Sequence, residues 1–259
     1  YEIKRCFQNM KPLVLRGFAR SWPAIERWKD LQALADHLER GEEAGEQKLV
    51  PIEVGGNNYM DEGMERQQVV FGDYLRILDL MEKEDLQGNS FGTAQQSIPK
   101  MYLAQYDLRE QYPDLGDDIE YDYLTREILS SCGRGEVQRV NFWVGPSFGC
   151  NSPMHRDPFH NFFVQIRGHK SLLLCPEKHA DFLELYPPPQ KNTSSLDFAS
   201  CNANAEVLFR NIPEVSTLSM DLEAAVIAPG DAVYIPKGYF HHFASQGNSA
   251  TISVNFWWL

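Results

Sequence analysis

Apolar residues in the first half of the chain recur mostly at helical spacing; in the second half they gather into short runs of β type. Pro12-Leu13-Val14-Leu15 predicts a short buried strand ended by Gly17. From Ala24 to Arg40, Ile25, Trp28, Leu31, Leu34, Ala35 and Leu38 form one stripe, which predicts a single helix stopped by Gly41. The polar stretch Gly41 to Gln47 reads as a surface loop. Leu49 to Val54 reads as a strand, broken by the turn cluster Gly55-Gly56-Asn57-Asn58. Phe71 to Met81 returns to the helical pattern through Tyr74, Leu75, Leu78 and Met81, with Asp73 near its start.

After Glu136 the period changes. Val137 to Val144, Asn161 to Ile166, Ser171 to Cys175, Ala225 to Ile227, Ala232 to Ile235 and Thr251 to Trp257 read as strands. Turn signals separate them at Gly145-Pro146, Arg167-Gly168, Pro229-Gly230 and Lys237-Gly238. Arg167-Gly168 reads as a hairpin turn joining an antiparallel pair. Many short strands in succession favour an antiparallel sandwich or barrel. Pro187 to Ala205, rich in Pro, Ser and Asn, reads as a long surface insertion. The economical division is a helix-rich N-terminal flank over residues 1–135 and a β core over residues 136–259, forming one structural domain.

The chain has 259 residues, 43% of them apolar and 12% aromatic, enough to bury a sizeable core. Its formal charge of −12 argues against bulk recognition of phosphate backbones, so direct nucleic-acid binding is not expected. No run approaches the roughly 18 apolar residues of a membrane span. The start, Tyr1-Glu2-Ile3-Lys4-Arg5, lacks both a Met and the features of a signal peptide, as expected of a trimmed chain. Five cysteines without a C-x-x-C pair argue for free thiols in a reducing compartment, cytosol or nucleus. Cys175, inside an apolar run, reads as a core residue, and Cys150 lies near the chemistry described next without thereby being a nucleophile.

Five of the seven histidines fall in two places: His155, His160 and His169, then His241 and His242. In Met154-His155-Arg156-Asp157-Pro158, residues two apart share one face of an extended backbone, so His155 and Asp157 can reach one point. His241 or His242 would complete the set. Two imidazoles and one carboxylate on one face leave positions open for a cosubstrate and dioxygen, the pattern of non-haem Fe(II) oxygenases. Lys170 and Asn161 each begin a strand, and a lysine facing into an apolar interior demands an anion. The plainer alternative for Lys170 is a solvated hairpin residue.

Asn141-Phe142-Trp143-Val144-Gly145-Pro146 followed by Ser152-Pro153-Met154-His155-Arg156-Asp157-Pro158-Phe159-His160-Asn161-Phe162 resembles the JmjC-domain oxygenases. So do Gly168-His169-Lys170, Pro229-Gly230-Asp231 with Ile235-Pro236, and Tyr239-Phe240-His241. The closing Phe256-Trp257-Trp258 is similar to one branch, the small single-domain protein hydroxylases of the arginyl hydroxylase or lysine-specific demethylase eight type. Lys11 to Gly17, Val50 to Gly55 and Tyr102-Leu103-Ala104-Gln105 resemble that branch too, so the likeness covers nearly the whole chain. It implies a double-stranded β-helix, the jelly-roll or cupin-like JmjC barrel. It also implies Fe(II) on His155, Asp157 and His241, with His242 set aside. Lys170 would pair with the far carboxylate of 2-oxoglutarate, helped by Tyr102, Ser152 and Asn161, and dioxygen would be the second cosubstrate.

The implied reaction hydroxylates a C–H bond while 2-oxoglutarate becomes succinate and CO2. In the nearest branch an acidic and aromatic wall takes an arginine side chain, and Glu53, Trp143 and Trp257 stand at the matching positions. The residues alone also allow a solvent-facing Glu53 and two core tryptophans. Gly56-Asn57-Asn58-Tyr59 carries one residue more than the family's turn, which shifts the register of Tyr59, a candidate substrate contact. The expected partner is a protein or peptide with basic side chains. The runners-up are histone lysine demethylation, hydroxylation of a modified tRNA base, and a non-catalytic cupin-like binding protein. A negative surface around the site entrance would attract basic segments; charge clustered elsewhere would serve solubility alone.

Overall fold

Strands that are apolar on both faces need cover on both sides, and the later strands of this chain find it between a second sheet and a layer of helices. The structure, a computed structural model, describes residues 2–40, 48–55, 60, 63–86, 100–134, 136–199 and 221–259. In the first half it contains α1 (Glu2–Gln8), β1 (Leu13–Leu15), α2 (Pro23–Arg27), α3 (Leu31–Glu39), β2 (Leu49–Val54), β3 (Glu65–Val70), α4 (Phe71–Leu86), β4 (Met101–Tyr106), α5 (Asp114–Asp118) and α6 (Tyr121–Tyr123). The second half supplies β5 (Val137–Gly145), β6 (His155–Arg156), β7 (His160–Arg167), β8 (His169–Cys175), β9 (Glu223–Ile227), β10 (Ala232–Ile235), β11 (Phe240–Gln246) and β12 (Thr251–Trp258).

Two antiparallel sheets result. Eight strands run in the order β1-β10-β7-β12-β5-β4-β2-β3, and four in the order β6-β11-β8-β9. Their inner faces meet at Phe163, Val233 and Ile235 from the large sheet and Leu172, Leu174, Ile227 and Phe243 from the small one. The outer face of the large sheet, with Phe162, Val164, Val254, Phe256 and Trp258, packs on Trp28, Leu31, Leu34, Tyr74 and Leu78 of the helical layer. The outer face of the small sheet carries Leu173, Cys175 and Phe240, covered by Met154, Leu183 and Phe198. This is the mainly β, cupin-like architecture anticipated, with helices laid on one side.

Three expectations need correction. The helix foreseen from Ala24 to Arg40 is two helices, because Asp30 turns extended and caps α3 by accepting from the Ala33 amide at 2.9 Å. At the same break the Trp28 indole donates to Asp118 at 2.8 Å, holding the corner against α5. Arg167-Gly168 is not a hairpin: β7 pairs with β10 and β12, whereas β8 pairs with β11 and β9. Gly168, at φ +68°, instead carries the chain from one sheet to the other, and a Cβ there would meet Thr251 Cγ2 at 2.8 Å. Asn161 and Lys170 therefore face each other from different sheets.

The Pro187–Ala205 segment is more than a surface insertion. In its described part, Ser194 donates its amide to Met154 and Asn192 accepts from the Arg156 amide, so the chain pairs along the edge strand β6 and buries Phe198. The first half also extends the large sheet: β1 and β2, foreseen as strands, belong to it together with β3 and β4. β3 escaped notice because its outer positions Glu65, Arg66, Gln67 and Gln68 are polar and solvent-facing, as suits an edge strand. The Gly41–Gln47 loop, the Gly56-Asn57-Asn58-Tyr59 turn and residues 200–205 lie outside the described residues.

Candidate active site

β6 and β11 lie side by side with His155 directly opposite His241, which brings the two rings to a centroid separation of 4.4 Å. Asp157, just past β6, places Oδ2 3.5 Å from His241 Nε2. One potential ligand atom from each of the three residues lies within 4.8 Å of the other two. The His155 Nδ1–H donates to the Pro153 carbonyl at 2.8 Å and the His241 Nδ1–H to the Tyr239 carbonyl at 3.1 Å. These bonds hold the rings in the tautomer whose Nε2 carries the lone pair, the usual outer-shell arrangement of metal-binding histidines.

Burial, then the neighbouring His241, pushes His155 down to about 4, so its imidazole is neutral at physiological pH. For Asp157 burial acts upward, but His241 and His155 outweigh it and the carboxyl falls below its ordinary value. Its Oδ2 is buried without a hydrogen-bond partner. A buried, ionised oxygen beside two imidazole nitrogens fits a divalent cation. His242 points away: its Nδ1–H donates to the Ser152 carbonyl at 2.6 Å and its ring packs near Phe198. The choice between His241 and His242 thus falls to His241, as alternation along β11 requires.

The three residues open into a cavity of about 470 Å³ between the sheets. At its buried side Lys170, 2% exposed, donates to the Tyr102 hydroxyl at 2.9 Å. Burial pushes its ammonium down to about 8. No carboxylate forms an ion pair with it among the described residues, which excludes the solvated-hairpin alternative and leaves a cation suited to an anionic ligand. Tyr102 fits there because position 145 is glycine; a Cβ would come within 2.5 Å of its ring. Ser152 accepts from the Phe243 amide at 3.0 Å, so its own O–H remains to donate.

Across the large sheet a chain of side-chain bonds orders the opposite wall. The Trp143 indole, a donor only, fixes Asn255 Oδ1 as acceptor at 2.8 Å, and Asn255 Nδ2 then donates to Asn161 Oδ1 at 2.9 Å. The amide nitrogen is thereby the donor end left to Asn161. Trp257 stacks on Phe159 at 5.6 Å, and its indole nitrogen is buried without a partner. Glu53 lines the same cavity and accepts from Arg66 at 2.9 Å.

All ten residues singled out from sequence border this one cavity: His155, Asp157, His241, Tyr102, Ser152, Asn161, Lys170, Glu53, Trp143 and Trp257. Sequence reasoning missed Asn255, Phe163, Phe243, Arg66 and Lys100, which border it as well. Asn255 left a signal, a lone amide in the apolar run Thr251 to Trp257. Cys150 also lines the cavity, but burial pushes its thiol up to about 12, which removes it as a nucleophile. Among the described residues, the charged side chains of the lining are Glu53 and Asp157 against Arg66, Lys100 and Lys170. No helix among the described residues is long and apolar enough to cross a membrane.

Two antiparallel sheets around a cavity lined by two histidines and an aspartate that could hold a metal ion define a cupin-like protein. The Cupin-like domain profile matches residues 2–259, and the chain belongs to that family, with the His155–Asp157–His241 set of the JmjC type present. It is 31% identical to Jumonji C domain-containing protein 5 of Drosophila melanogaster, over 98% of this chain and 56% of that protein. It is 29% identical to Lysine-specific demethylase JMJ30 of Arabidopsis thaliana over 95% of this chain and 49% of that protein. With Lysine-specific demethylase 8 of Danio rerio it shares 30% identity over 96% of this chain and 53% of that protein. The chain therefore spans about half the length of these curated relatives.

Proposed function

We propose that this chain is an Fe(II)- and 2-oxoglutarate-dependent protein hydroxylase acting on an arginine or other basic side chain. The observation that carries the reading is the buried, carboxylate-free Lys170 in the same cavity as the His155–Asp157–His241 cluster. His155, Asp157 and His241 would hold the metal. Lys170, Tyr102, Ser152 and Asn161 would hold the cosubstrate's far carboxylate with one charge and three further donors. When bound, the iron with 2-oxoglutarate and dioxygen supplies the oxidising power for hydroxylation, with release of succinate and CO2.

The protein's part is positioning. Two imidazoles and one carboxylate make up the cluster, and the Pro153 and Tyr239 carbonyls fix the ring orientations. Glu53 offers a carboxylate to a guanidinium, and Trp143 and Trp257 offer flat faces to it. Phe163 and Phe243, from opposite sheets and stacked at 4.2 Å, keep the inner wall apolar.

Arginyl and lysyl peptides incubated with enzyme, Fe(II), 2-oxoglutarate and oxygen should gain one oxygen atom by mass spectrometry. Iron-dependent succinate formation without oxidation of any basic peptide would overturn the substrate class. Lysine demethylation is the second reading, favoured by the names of the Arabidopsis and zebrafish relatives. In the same assay it predicts loss of a methyl group from methyl-lysyl peptides with release of formaldehyde.

A further inference from the structure

The cavity wall that faces a basic substrate already contains a cation. Glu53 on β2 sits directly opposite Arg66 on β3 and, on its other side, opposite Tyr102 on β4. Directly paired residues share one face of a sheet. A polar file therefore runs inward from the sheet edge: Arg66, Glu53, Tyr102, Lys170. The first link is the Arg66 Nη2 bond to Glu53 Oε1 at 2.9 Å and the last is the Lys170 bond to Tyr102 at 2.9 Å. Exposure falls along this file. The Arg66 side chain is 62% exposed, that of Glu53 12%, and Lys170 is 2% exposed.

We propose that Arg66 is a resident competitor for the Glu53 carboxylate, holding the position that a substrate guanidinium must take. This rests on the reading of Glu53 as the substrate's carboxylate. Among the described residues β3 ends the eight-stranded sheet, so no described strand lies beyond Arg66 to stop it swinging outward. An ion pair with so exposed a partner is weak, which makes Arg66 displaceable rather than a permanent plug. A second guanidinium at the remaining Glu53 oxygen would meet the charge already there, so access and Arg66 departure are coupled.

Competition of this kind has a definite kinetic form. It raises KM for every ligand that uses Glu53 by one common factor and leaves kcat alone, because Arg66 has left once the substrate is seated. A ligand that does not use Glu53, 2-oxoglutarate included, is unaffected. The factor is one plus the equilibrium constant of an exposed ion pair, about two- to fivefold.

The test compares wild type, R66Q, R66K, E53Q and E53Q/R66Q on one arginyl peptide, recording peptide oxidation and 2-oxoglutarate KM. R66Q should lower the peptide KM about two- to fivefold at unchanged kcat and unchanged 2-oxoglutarate KM. R66K, keeping the charge but losing the planar fork, should fall between. In the E53Q background R66Q should have no effect, which separates competition from a general change at the sheet edge. If both wild type and R66Q oxidise the peptide with equal KM, or R66Q raises it, the competitor is overturned while the hydroxylase reading stands. Should every variant consume 2-oxoglutarate and none oxidise a basic peptide, both readings fall together.

Discussion

Lys170→Met should make the ligand-free protein more heat-stable while abolishing its response to 2-oxoglutarate. The ammonium is 2% exposed; its recorded neighbours are the Tyr102 hydroxyl and the rings of Tyr102 and Phe163 at 5.4 and 5.6 Å. Burial lowers its pKa from 10.5 to about 8. At about 1.4 kcal/mol per unit, the charged form is about 3 kcal/mol less favourable in the folded chain than in the unfolded one. Below pH 8 the group is charged in both states and the whole penalty applies. As the pH rises from 8 towards 10.5 the folded state sheds its proton first, so stability increases across that window. Methionine removes the charge and fills most of the volume. It forfeits the bond to Tyr102, a hydrogen bond to a charged group worth about 1.5–3 kcal/mol. The balance, up to about 2 kcal/mol, corresponds to a Tm rise of up to about 4–8 °C for a chain of this size. Differential scanning fluorimetry at neutral pH, with and without 2-oxoglutarate and a redox-inert divalent metal, reads both effects. The reasoning fails if the variant melts at or below wild type, or if the cosubstrate raises both melting temperatures equally.

Three more outcomes follow from the site. His155→Ala should reduce 2-oxoglutarate consumption to background and erase the Tm rise on adding Mn(II), whereas His242→Ala should keep that metal-dependent rise because its ring faces away from the cluster. Tyr102→Phe removes a hydroxyl bonded to a charged group, which is worth about 1.5–3 kcal/mol, so the 2-oxoglutarate KM should rise about 10- to 100-fold in a succinate assay. Asn255→Ala breaks the Trp143–Asn255–Asn161 chain and leaves two buried groups unpaired; urea denaturation should show a loss of about 1–3 kcal/mol.

What the sequence disclosed follows the strength of local patterning. β10 was bounded correctly because Ala232 to Ile235 is flanked by turn signals and buried throughout. The His155–Asp157 pair was legible from the period of an extended strand alone. β11 was not, although it carries His241: Phe240-His241-His242-Phe243-Ala244-Ser245-Gln246 has polar residues on both faces, one towards the cavity and one bonded to Ser152. Arg66 was invisible for a different reason. Its importance lies in a cross-strand register with Glu53, and register between β2 and β3 is a tertiary fact that no period within either strand encodes. The helix break at Asp30 had a local signal, an N-capping residue inside an apolar stripe, overridden by the continuity of that stripe.

The corner at Gly168 shows why the site needs both sheets. Had β7 and β8 formed a hairpin, Asn161 and Lys170 would lie on one sheet and a ligand would rest on a surface. Instead Asn161 and Tyr102 stand on the large sheet, and Lys170, His155 and His241 on the small one. The Lys170–Tyr102 bond is a single polar tie across the barrel interior, and a carboxylate would add contacts to both partners with opposite charges meeting at the lysine. A dicarboxylate in the cavity would therefore clamp the two sheets together as well as neutralise the lysine. On that argument cosubstrate binding should slow hydrogen exchange in β4 and β8 together, strands that share no ladder. Protection confined to β8 would mean the anion is held by the small sheet alone, and the clamp would be refuted.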